Sequence, residues 1–250
     1  MTTSLVDKQR RSFDQLVEAG VYSEDFEHAP AAKDFVGAVL AQAMPQSAPG
    51  RPLTVLDCGC GTGVWLAFLA STLRQVGIAE VRLCGFDLSG KMVEVARRRL
   101  AGLAEAKDLR AGNLLEPPSY DFDGIAAGFD LIFAYDVVQQ LPRRDQYAAC
   151  ELMASRLALG GSALVFDNDS RSKFGRRMAR RKFFTRYFGL NLVPRYYCNA
   201  SYPPLEQYRR RLADASWNTA IHIRPDQVKR ALVLTARHRG EPDQTTRRPS

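Results

Sequence analysis

A glycine-rich turn between a strand and a helix is the feature that most constrains this chain. Residues 53–56 form a short apolar run with β-branched members, and residues 64–73 carry apolar side chains at helical spacing. Gly59, Gly61 and Gly63 lie between these two segments. Glycine adopts positive φ angles and lets a ligand approach the backbone, and the helix that follows begins with free N–H groups. The stretch therefore predicts a ligand-binding turn.

The spacing of the glycines indicates which ligand the turn binds. The dinucleotide fingerprint is G-x-G-x-x-G, whereas this turn contains G-x-G-x-G, with an acid two residues before the first glycine. It resembles the first motif of class I S-adenosylmethionine (SAM) dependent methyltransferases. The resemblance implies SAM as cofactor and assigns five residues to its binding: Asp57, Gly59, Cys60, Gly61 and Gly63. The alternative is a tight turn that holds no ligand.

A second acid supports the same cofactor. Residues 81–87 predict a second strand that ends at Asp87, 24 residues beyond Gly63. Since neighbouring parallel strands share one crevice at their carboxyl ends, Asp87 can accept hydrogen bonds from both ribose hydroxyls. That is the role of this residue in the family, and the resemblance adds Leu88 and Met92 to the cofactor site. The alternative for Asp87 is a helix N-cap or a surface acid.

Residues 109–115 predict a short third strand and its exit. The family usually has an Asp here that binds the adenine amino group, whereas this chain has Asn113. An asparagine side-chain oxygen can accept the same hydrogen bond. The resemblance therefore assigns Asn113 and its neighbour Leu114 to the cofactor site.

The fourth strand, residues 129–136, is apolar on both faces, as a central parallel strand should be. Its exit loop resembles the small-molecule branch of the family and lacks the Asn/Asp-Pro-Pro-aromatic signature of amino-methylating nucleic-acid enzymes. A helix to Leu157 and a turn at Gly160 and Gly161 are predicted before the fifth strand, residues 163–166. The polar residues nearest the expected methyl position are the catalytic candidates Tyr135, Asp136, Gln140 and Asp167, and Tyr135 is also a cofactor candidate. The sequence does not select a base among them.

Asp136, Asp167 and Asn168 also raise the question of a metal. Catechol-type O-methyltransferases hold magnesium with an acid after strand four and an Asp-Asn pair after strand five, and oxygen ligands of this kind suit magnesium. Asp136, however, falls one residue later than expected for the family ligand, and one residue reverses the facing direction in a strand. The prediction is therefore no metal, with these acids as substrate contacts or turn caps.

Residues 171–186 carry eight basic side chains and no acid, interleaved with aromatic residues. In the doubly wound order this segment follows strand five, above the crevice where ligands bind. We expect a lid whose Arg177, Arg181 and Tyr197 contact substrate, together with Tyr22 and Phe26 of the N-terminal segment. In the alternative, the lid aromatics pack on the domain, its arginines face water, and Tyr22 and Phe26 join two helices. A nucleic acid or an anionic membrane as partner is also left open.

Composition sets outer bounds on these interpretations. The net charge of +8 favours an anionic partner or substrate. The chain has no run of 18 apolar residues, and its first 19 residues carry charges where a signal peptide would be apolar, so a cytoplasmic protein is expected. The five cysteines lack paired zinc spacing, which favours reduced, buried thiols.

Together these features predict an α/β fold with a doubly wound, mostly parallel seven-stranded sheet. The expected divisions are an N-terminal helical cap (residues 1–50), a SAM-binding core (51–169), a lid insertion (170–202), a C-terminal helix and strands of the core (203–239), and a flexible tail (240–250). The expected function is SAM-dependent N- or O-methylation of an anionic or partly apolar small molecule. The alternatives are an RNA or other nucleic-acid methyltransferase and a non-catalytic SAM-fold binding module, and the oligomeric state is left open.

Overall fold

The part of the chain that the structure describes contains seven strands and seven α-helices. The computed structural model describes residues 5–20, 30–45, 51–190, 200–213 and 217–236. The strands are β1 (Leu53–Cys58), β2 (Val81–Asp87), β3 (Ala106–Ala111), β4 (Phe129–Tyr135), β5 (Leu157–Asn168), β6 (Trp217–Ile223) and β7 (Lys229–Ala236). The helices are α1 (Leu5–Glu18), α2 (Pro30–Gln42), α3 (Val64–Gln75), α4 (Gly90–Leu100), α5 (Arg143–Ser155), α6 (Lys173–Phe188) and α7 (Leu205–Ala213).

The strands form one sheet in the order β3-β2-β1-β4-β5-β7-β6. Strands β1 to β5 pair in parallel, whereas β7 is antiparallel to both β5 and β6. The predicted doubly wound, mostly parallel sheet is confirmed. The strand order reverses between β1 and β4, and the carboxyl ends on either side of such a switch point form a ligand crevice.

The sheet lies between two layers of helices. All six residues of β1 are buried, and alternate residues of the strand face opposite sides of the sheet. Leu53 and Val55 join an apolar cluster with α2, α3 and α4, whereas Leu56 and Cys58 join a second cluster with α5 and α7. A strand covered on both faces reads as a continuous apolar run, which is why β1 and β4 were recognisable from sequence.

The predicted turn at Gly160 and Gly161 is wrong, because both glycines lie inside β5. The β4–β5 pairing shifts register between Phe129 and Leu131, so this part of β5 forms a bulge. Gly160 has a φ of 72°, and a Cβ on Gly161 would lie 2.7 Å from the Phe129 carbonyl oxygen. Glycine here permits a bulge within a long strand rather than a chain reversal.

The cysteines agree with the expectation from composition. Cys58, Cys60, Cys84 and Cys150 are buried and carry free thiols. Burial raises the pKa of each of these thiols. Cys198 lies outside the described residues. The division of the chain into cap, core, lid and tail stays a prediction.

A buried carboxylate fixes the start of β1 against the start of β4. Asp130 is 1% exposed and accepts two hydrogen bonds from the Arg51 guanidinium, at 2.6 and 2.5 Å. The backbone N–H and the hydroxyl of Thr54 each donate to the same carboxylate at 2.8 Å. Burial pushes the pKa of Asp130 up, but the hydrogen bonds from Arg51 and Thr54 outweigh it and hold the pKa below its usual value.

We predict that Asp130→Asn destabilises the fold by about 2 kcal/mol at neutral pH, because charge-assisted hydrogen bonds are lost at a buried position. Urea denaturation measures the change. The carboxylate contributes above its unfolded pKa, so the difference between wild type and variant should shrink below about pH 4. Asp121→Asn is the matched control, since Asp121 pairs with Arg156 at the surface and a surface pair contributes less than about 1 kcal/mol. Equal destabilisation by both variants would contradict the assignment.

Candidate cofactor crevice and adjoining cleft

The glycine turn is held against the end of β2. The backbone N–H groups of Gly59 and Cys60 both donate to the Phe86 carbonyl oxygen, at 2.8 and 2.9 Å. Gly59 has a φ of 77°, and a Cβ there would lie 2.5 Å from the Val137 side chain. Gly61 has a φ of 51°, yet a Cβ there would meet no atom within 4 Å. Gly59 is therefore required for packing, whereas the space beside Gly61 is open to a ligand.

Gly63 has a third role. Its φ is 79°, and a Cβ there would lie 3.1 Å from the Ala96 side chain. The residue therefore allows the start of α3 to approach α4 closely. Of the three glycines in the motif, Gly61 is the one whose missing side chain leaves space in the crevice.

Two acids adjoin the open side of the turn. Asp57 is 1% exposed, and its Oδ2 atom has no hydrogen-bond partner among the described residues. Burial raises the pKa of Asp57 well above its usual value, and the nearby Asp87 carboxylate raises it further. A cationic group of a ligand beside Asp57 would stabilise the carboxylate by offsetting this penalty.

Asp87 closes the other side of the turn. Its Oδ2 atom accepts from the Gly61 N–H at 3.0 Å, and its Oδ1 atom accepts from the Ser89 N–H at 2.8 Å. Burial raises the pKa of Asp87 to about 6, although these two backbone N–H groups oppose the shift. Each carboxylate oxygen can accept a further hydrogen bond from a ligand hydroxyl. The local turn role and the predicted ribose role are therefore compatible.

The remaining cofactor candidates lie around this crevice. Leu88 is half-buried, and Met92 is buried in the first turn of α4. Leu114 is buried after β3, where its carbonyl accepts a hydrogen bond from the Tyr120 hydroxyl at 2.9 Å. The Asn113 oxygen accepts from the Leu115 N–H at 3.1 Å, which forms a local turn and leaves one lone pair for a ligand. The assignment of these residues to SAM stays a prediction.

Helix α1 bridges the two sides of the crevice. The Ser89 hydroxyl, after β2, donates to Asp14 at 2.5 Å. At the other end of the helix, the Gln9 side chain donates to the carbonyl of Gln140, after β4. The helix therefore connects the exits of the two strands that flank β1. Tyr22 and Phe26, predicted from the same segment, lie outside the described residues.

The exit of β4 carries an ion pair between Asp136 and a buried lysine, Lys229. Asp136 has a φ of 59°, in the left-handed region that residues other than glycine seldom adopt. Its Oδ1 atom accepts from the Gln139 amide at 2.9 Å and from the Lys229 ammonium at 2.5 Å. The Lys229 side chain is 6% exposed, and its Nζ atom lies 4.2 Å from the centroid of the Tyr135 ring. A lysine so deeply buried is uncommon unless it is paired, as here.

Sequence reasoning did not find Lys229. It is the first residue of β7, and β7 pairs antiparallel with β5 so that Lys229 lies opposite Asn168. In the sequence it is one of 35 Lys and Arg residues and belongs to no motif. The available signal was a lysine directly before an apolar strand, and that signal is too weak to predict an ion pair with Asp136.

The other catalytic candidates differ in exposure. Tyr135 packs against Trp65 at 4.4 Å between ring centroids, and burial raises the pKa of its hydroxyl, with a further rise from Asp136. Asp167 is fully buried and accepts from the Gln139 N–H at 3.3 Å. Burial and the Asp136 charge raise the pKa of Asp167 well above its usual value, which favours the neutral acid. Gln140 is half-buried. Tyr135, Asp136 and Asp167 therefore lie together, but Asp167 lies beneath the loop rather than at its surface.

Whether these acids could bind a metal ion depends on the same loop. Among the described residues, no group of three His, Cys, Asp or Glu side chains is arranged to hold a metal ion. The cation that Asp136 contacts is the Lys229 ammonium. A metal at this carboxylate would have to displace that pair. The expectation of no metal stays a prediction.

A cleft lies between the first turns of α6 and the β6–β7 connection. We call it the α6 cleft; it has a volume of about 450 Å³ and is lined by Lys173, Phe174, Arg177, Pro225, Asp226, Gln227 and Val228. It adjoins the ion pair of Asp136 and Lys229, since Val228 directly precedes Lys229. Of the predicted substrate residues, Arg177 lines this cleft, Arg181 is half-buried one turn farther along α6, and Tyr197 lies outside the described residues. Contact of these residues with substrate stays a prediction.

Comparison with known proteins shows what this chain is similar to. Residues 55–161 match a protein family described as a methyltransferase domain. A trans-aconitate 2-methyltransferase from Methylobacterium nodulans is 33% identical over 139 residues, which cover 55% of this chain and 46% of that protein. A demethylmenaquinone methyltransferase from Bacillus licheniformis is 29% identical over 124 residues, or 49% of this chain and 47% of that protein. The chain spans about half the length of these curated relatives.

Solved structures agree on the fold. A magnesium protoporphyrin IX methyltransferase from Synechocystis PCC 6803 with bound SAM superposes with a TM-score of 0.59 at 17% identity, over 94% of this chain and all of that one. The CurJ carbon methyltransferase gives a TM-score of 0.60 at 16% identity, over 90% of this chain and 59% of that one. These likenesses confirm the class I methyltransferase fold.

We predict that Gly61→Ala weakens SAM binding by more than tenfold, because the new methyl group enters the open space beside the turn. Calorimetry measures the dissociation constant. Gly77→Ala is the matched control: its φ is +87°, a Cβ there meets nothing within 4 Å, and it follows α3 away from the turn. Both variants place an alanine at a positive φ, so an equal effect of the two on SAM binding would show that Gly61 does not face the ligand.

A second prediction concerns pH. Lowering the pH through about 6 should weaken SAM binding, because the buried Asp87 carboxylate, with a pKa of about 6, gains a proton and loses acceptor strength. The loss should approach about tenfold per pH unit below that pKa. Calorimetry at several pH values measures it. Binding by Asp87→Asn should be weaker at neutral pH and nearly independent of pH.

A ligand analogue separates the ribose role of Asp87 from its role in the turn. In wild type, S-adenosylhomocysteine should bind more tightly than its 2′-deoxy analogue, whereas Asp87→Asn should bind the two with similar affinity. An unchanged preference in the variant would remove the ribose assignment. Persistence of the full pH dependence in Asp87→Asn would assign the titration to Asp57 or Asp14 instead.

Proposed function

We propose that this chain, which carries a methyltransferase domain within a class I fold, transfers the methyl group of SAM to an anionic oxygen of a small molecule. The observation that carries the proposal is the pairing of two sites along one edge of the sheet. On one side, the glycine turn opens at Gly61 between two acids. On the other, the acids Asp136 and Asp226 are neutralised by ion pairs, while two further cations line a cleft.

The residues of the crevice fit SAM. The open position at Gly61 leaves room for the cofactor body, Asp87 offers acceptor lone pairs to two ribose hydroxyls, and the unpartnered oxygen of Asp57 suits a cationic group. When bound, SAM supplies a methyl group on a positively charged sulfur. An aligned nucleophile takes the methyl group in one step, and the sulfur is the leaving group. The protein's contribution is then chiefly orientation and exclusion of water, and orientation alone can accelerate such a step greatly.

The charges of the α6 cleft favour an anionic acceptor. Asp136 is paired with Lys229, and Asp226 is paired with Arg224 at 2.6 Å. Lys173 and Arg177 have no acidic partner among the described residues, so the lining of the cleft carries net positive charge. A guanidinium can pair with a carboxylate through two hydrogen bonds, which gives Arg177 the capacity to orient such a group.

An anionic oxygen also removes the need for a general base. Asp167 is fully buried, and burial favours its neutral form. The Oδ1 atom of Asp136 already accepts hydrogen bonds from the Lys229 ammonium and the Gln139 amide. A carboxylate or phenolate acceptor carries its nucleophilic lone pair already, so these groups need only position it. The relative named for trans-aconitate, itself a carboxylate, supports this acceptor class.

Turnover of methyl-labelled SAM against pools of carboxylic acids, phenols and amines tests the proposal. We expect labelled methyl esters or aryl ethers in the presence of EDTA, and alkali should release labelled methanol from the esters. Label found only in amines would overturn the acceptor class. Tight SAM binding without turnover in any pool, RNA included, would favour the non-catalytic binding module.

We predict that Arg177→Ala raises the KM for the anionic acceptor about tenfold or more, since it removes a charge-assisted hydrogen bond. The dissociation constant of SAM should stay within about twofold, because Arg177 lines the α6 cleft rather than the glycine turn. Arg180→Ala is the matched control, one turn along the same helix and exposed. Steady-state kinetics and calorimetry give the two constants. Equal increases in KM for both variants would indicate general electrostatic attraction instead of a contact at Arg177.

A further inference from the structure

Helix α6 has two faces of different character. Its inner face packs on Ala200 and Tyr202, where Met178 is 8% exposed within a small apolar cluster. The rings of Phe174 and Tyr202 lie 6.0 Å apart, and the Lys182 ammonium lies 4.5 Å from the centroid of the Tyr202 ring. The inner face is thus occupied by the protein itself.

The outer face exposes aromatic side chains. Phe183 is 51% exposed, Phe184 38%, Tyr187 67% and Phe188 63%, and Leu190 beyond the helix is 48% exposed. These four residues are therefore not packed on the domain, whereas Phe174 packs beside Tyr202 within the same segment. Large apolar groups that adjoin one another at a surface mark an interaction site more often than single exposed residues do. We call these four aromatic residues the α6 aromatic cluster.

Arginines precede the α6 aromatic cluster on the same face. Arg176 and Arg180 are exposed, and they lead to Phe183, Phe184 and Tyr187 at intervals of three or four residues, the spacing of one helical face. Residues 171–186 contain eight basic side chains and no acid. The outer face therefore combines an apolar end with a cationic end and has no negative charge.

We propose that the outer face of α6 docks this protein onto a membrane surface that contains anionic phospholipids. Aromatic side chains are favoured at the level of lipid headgroups, where a ring is buried while its edge stays hydrated. Arginines one and two turns away pair with lipid phosphates through their guanidinium forks. Among the described residues, no helix has the length and apolar character needed to cross a bilayer, so this contact is with the surface.

The arrangement of the rings favours lipid over single-stranded RNA. Phe183 lies 4.7 Å from Tyr187 and 5.7 Å from Phe184, and Phe184 lies 5.6 Å from Phe188, all measured between ring centroids. The rings pack against one another, with 83° between the planes of Phe183 and Phe184. Rings tilted against one another do not present the parallel faces on which successive bases stack, which is how aromatic residues bind single strands.

The charge pattern argues against a second copy of the chain. A symmetric contact through this face would bring Arg176 and Arg180 of two copies towards one another with no acid on the helix to offset them. An anionic lipid surface can take up the aromatic side chains at one end of the face and can pair with the arginines at the other end. The docking is independent of the proposed reaction, because the α6 cleft is lined by Lys173, Phe174 and Arg177, whereas the docking residues are others.

Flotation of the purified full chain with vesicles tests the docking. We expect co-flotation with vesicles of phosphatidylcholine and phosphatidylglycerol, weaker co-flotation with phosphatidylcholine alone, and a decrease as salt is added. Phe183→Ser with Tyr187→Ser should lower binding to both kinds of vesicle about tenfold or more, since two apolar contacts are lost. Arg176→Ala with Arg180→Ala should weaken binding to the anionic vesicles alone, by about fivefold per arginine.

Matched controls separate the α6 face from general surface properties. Val76→Ser with Leu159→Ser removes two apolar side chains that are 58% and 61% exposed elsewhere, and Arg143→Ala with Arg144→Ala removes two exposed charges on α5. Both control variants should bind vesicles like wild type.

In addition, the fluorescence of Phe184→Trp should shift to shorter wavelength on binding and should be quenched by brominated lipid. All variants should keep wild-type far-ultraviolet dichroism and SAM affinity.

Three results would overturn the docking. The first is equal vesicle binding by wild type and the Phe183→Ser, Tyr187→Ser variant. The second is loss of binding to an RNA oligonucleotide, with no vesicle binding, in the same variant. The third is a wild-type dimer in solution that this variant converts to a monomer. None of these three measurements requires methyl transfer, so the docking and the proposed reaction are tested separately.

Discussion

Two backbone hydrogen bonds to one carbonyl oxygen, that of Phe86, fix the geometry on which the candidate cofactor site depends. They hold the start of the glycine turn against the end of β2. With the turn held there, the next N–H, that of Gly61, lies within hydrogen-bond distance of Asp87. The turn conformation needs positive φ at Gly59, Gly61 and Gly63, so the three glycines are required for related but different reasons. The absence of a side chain at Gly59 leaves room for Val137, and its absence at Gly63 lets α4 approach closely, whereas Gly61 leaves an open space.

Two different electrostatic environments lie along this edge of the sheet. On the turn side, Asp57 and Asp87 lie close together with no cation paired to them among the described residues, and burial raises the pKa of both. On the far side, Asp136 is neutralised by a buried ammonium. The first environment suits a cationic ligand and the second suits an anionic one. Attraction between the two would bring the reacting atoms together in the proposed transfer, and it would favour an acceptor that needs no base.

Helix α6 joins the far side of this edge to the surface of the molecule. Its first turns line the α6 cleft, its inner face packs on Tyr202, and its outer face carries the α6 aromatic cluster. The residues that line the cleft and the residues of the α6 aromatic cluster are different, although both sets lie along the exposed side of the helix. One helix therefore carries residues for a small acceptor and residues for an external surface.

The sequence by itself determined the parts of this protein that depend on local spacing. The G-x-G-x-G turn, the acid at the end of the second strand and the apolar runs of β1 and β4 are contiguous signals, and they predicted the sheet class and the position of the crevice. Tertiary structure decided the rest, because the relevant contacts join residues far apart in the chain. Lys229 reaches Asp136 across 93 positions only because β7 returns antiparallel beside β5. Likewise, the glycine pair inside β5 forms a bulge because β4 pairs on both sides of it. Along α6, Phe174 packs with Met178, Ala200 and Tyr202, whereas the α6 aromatic cluster is exposed. Pattern alone could not supply these outcomes, since each depends on which surface a distant segment covers.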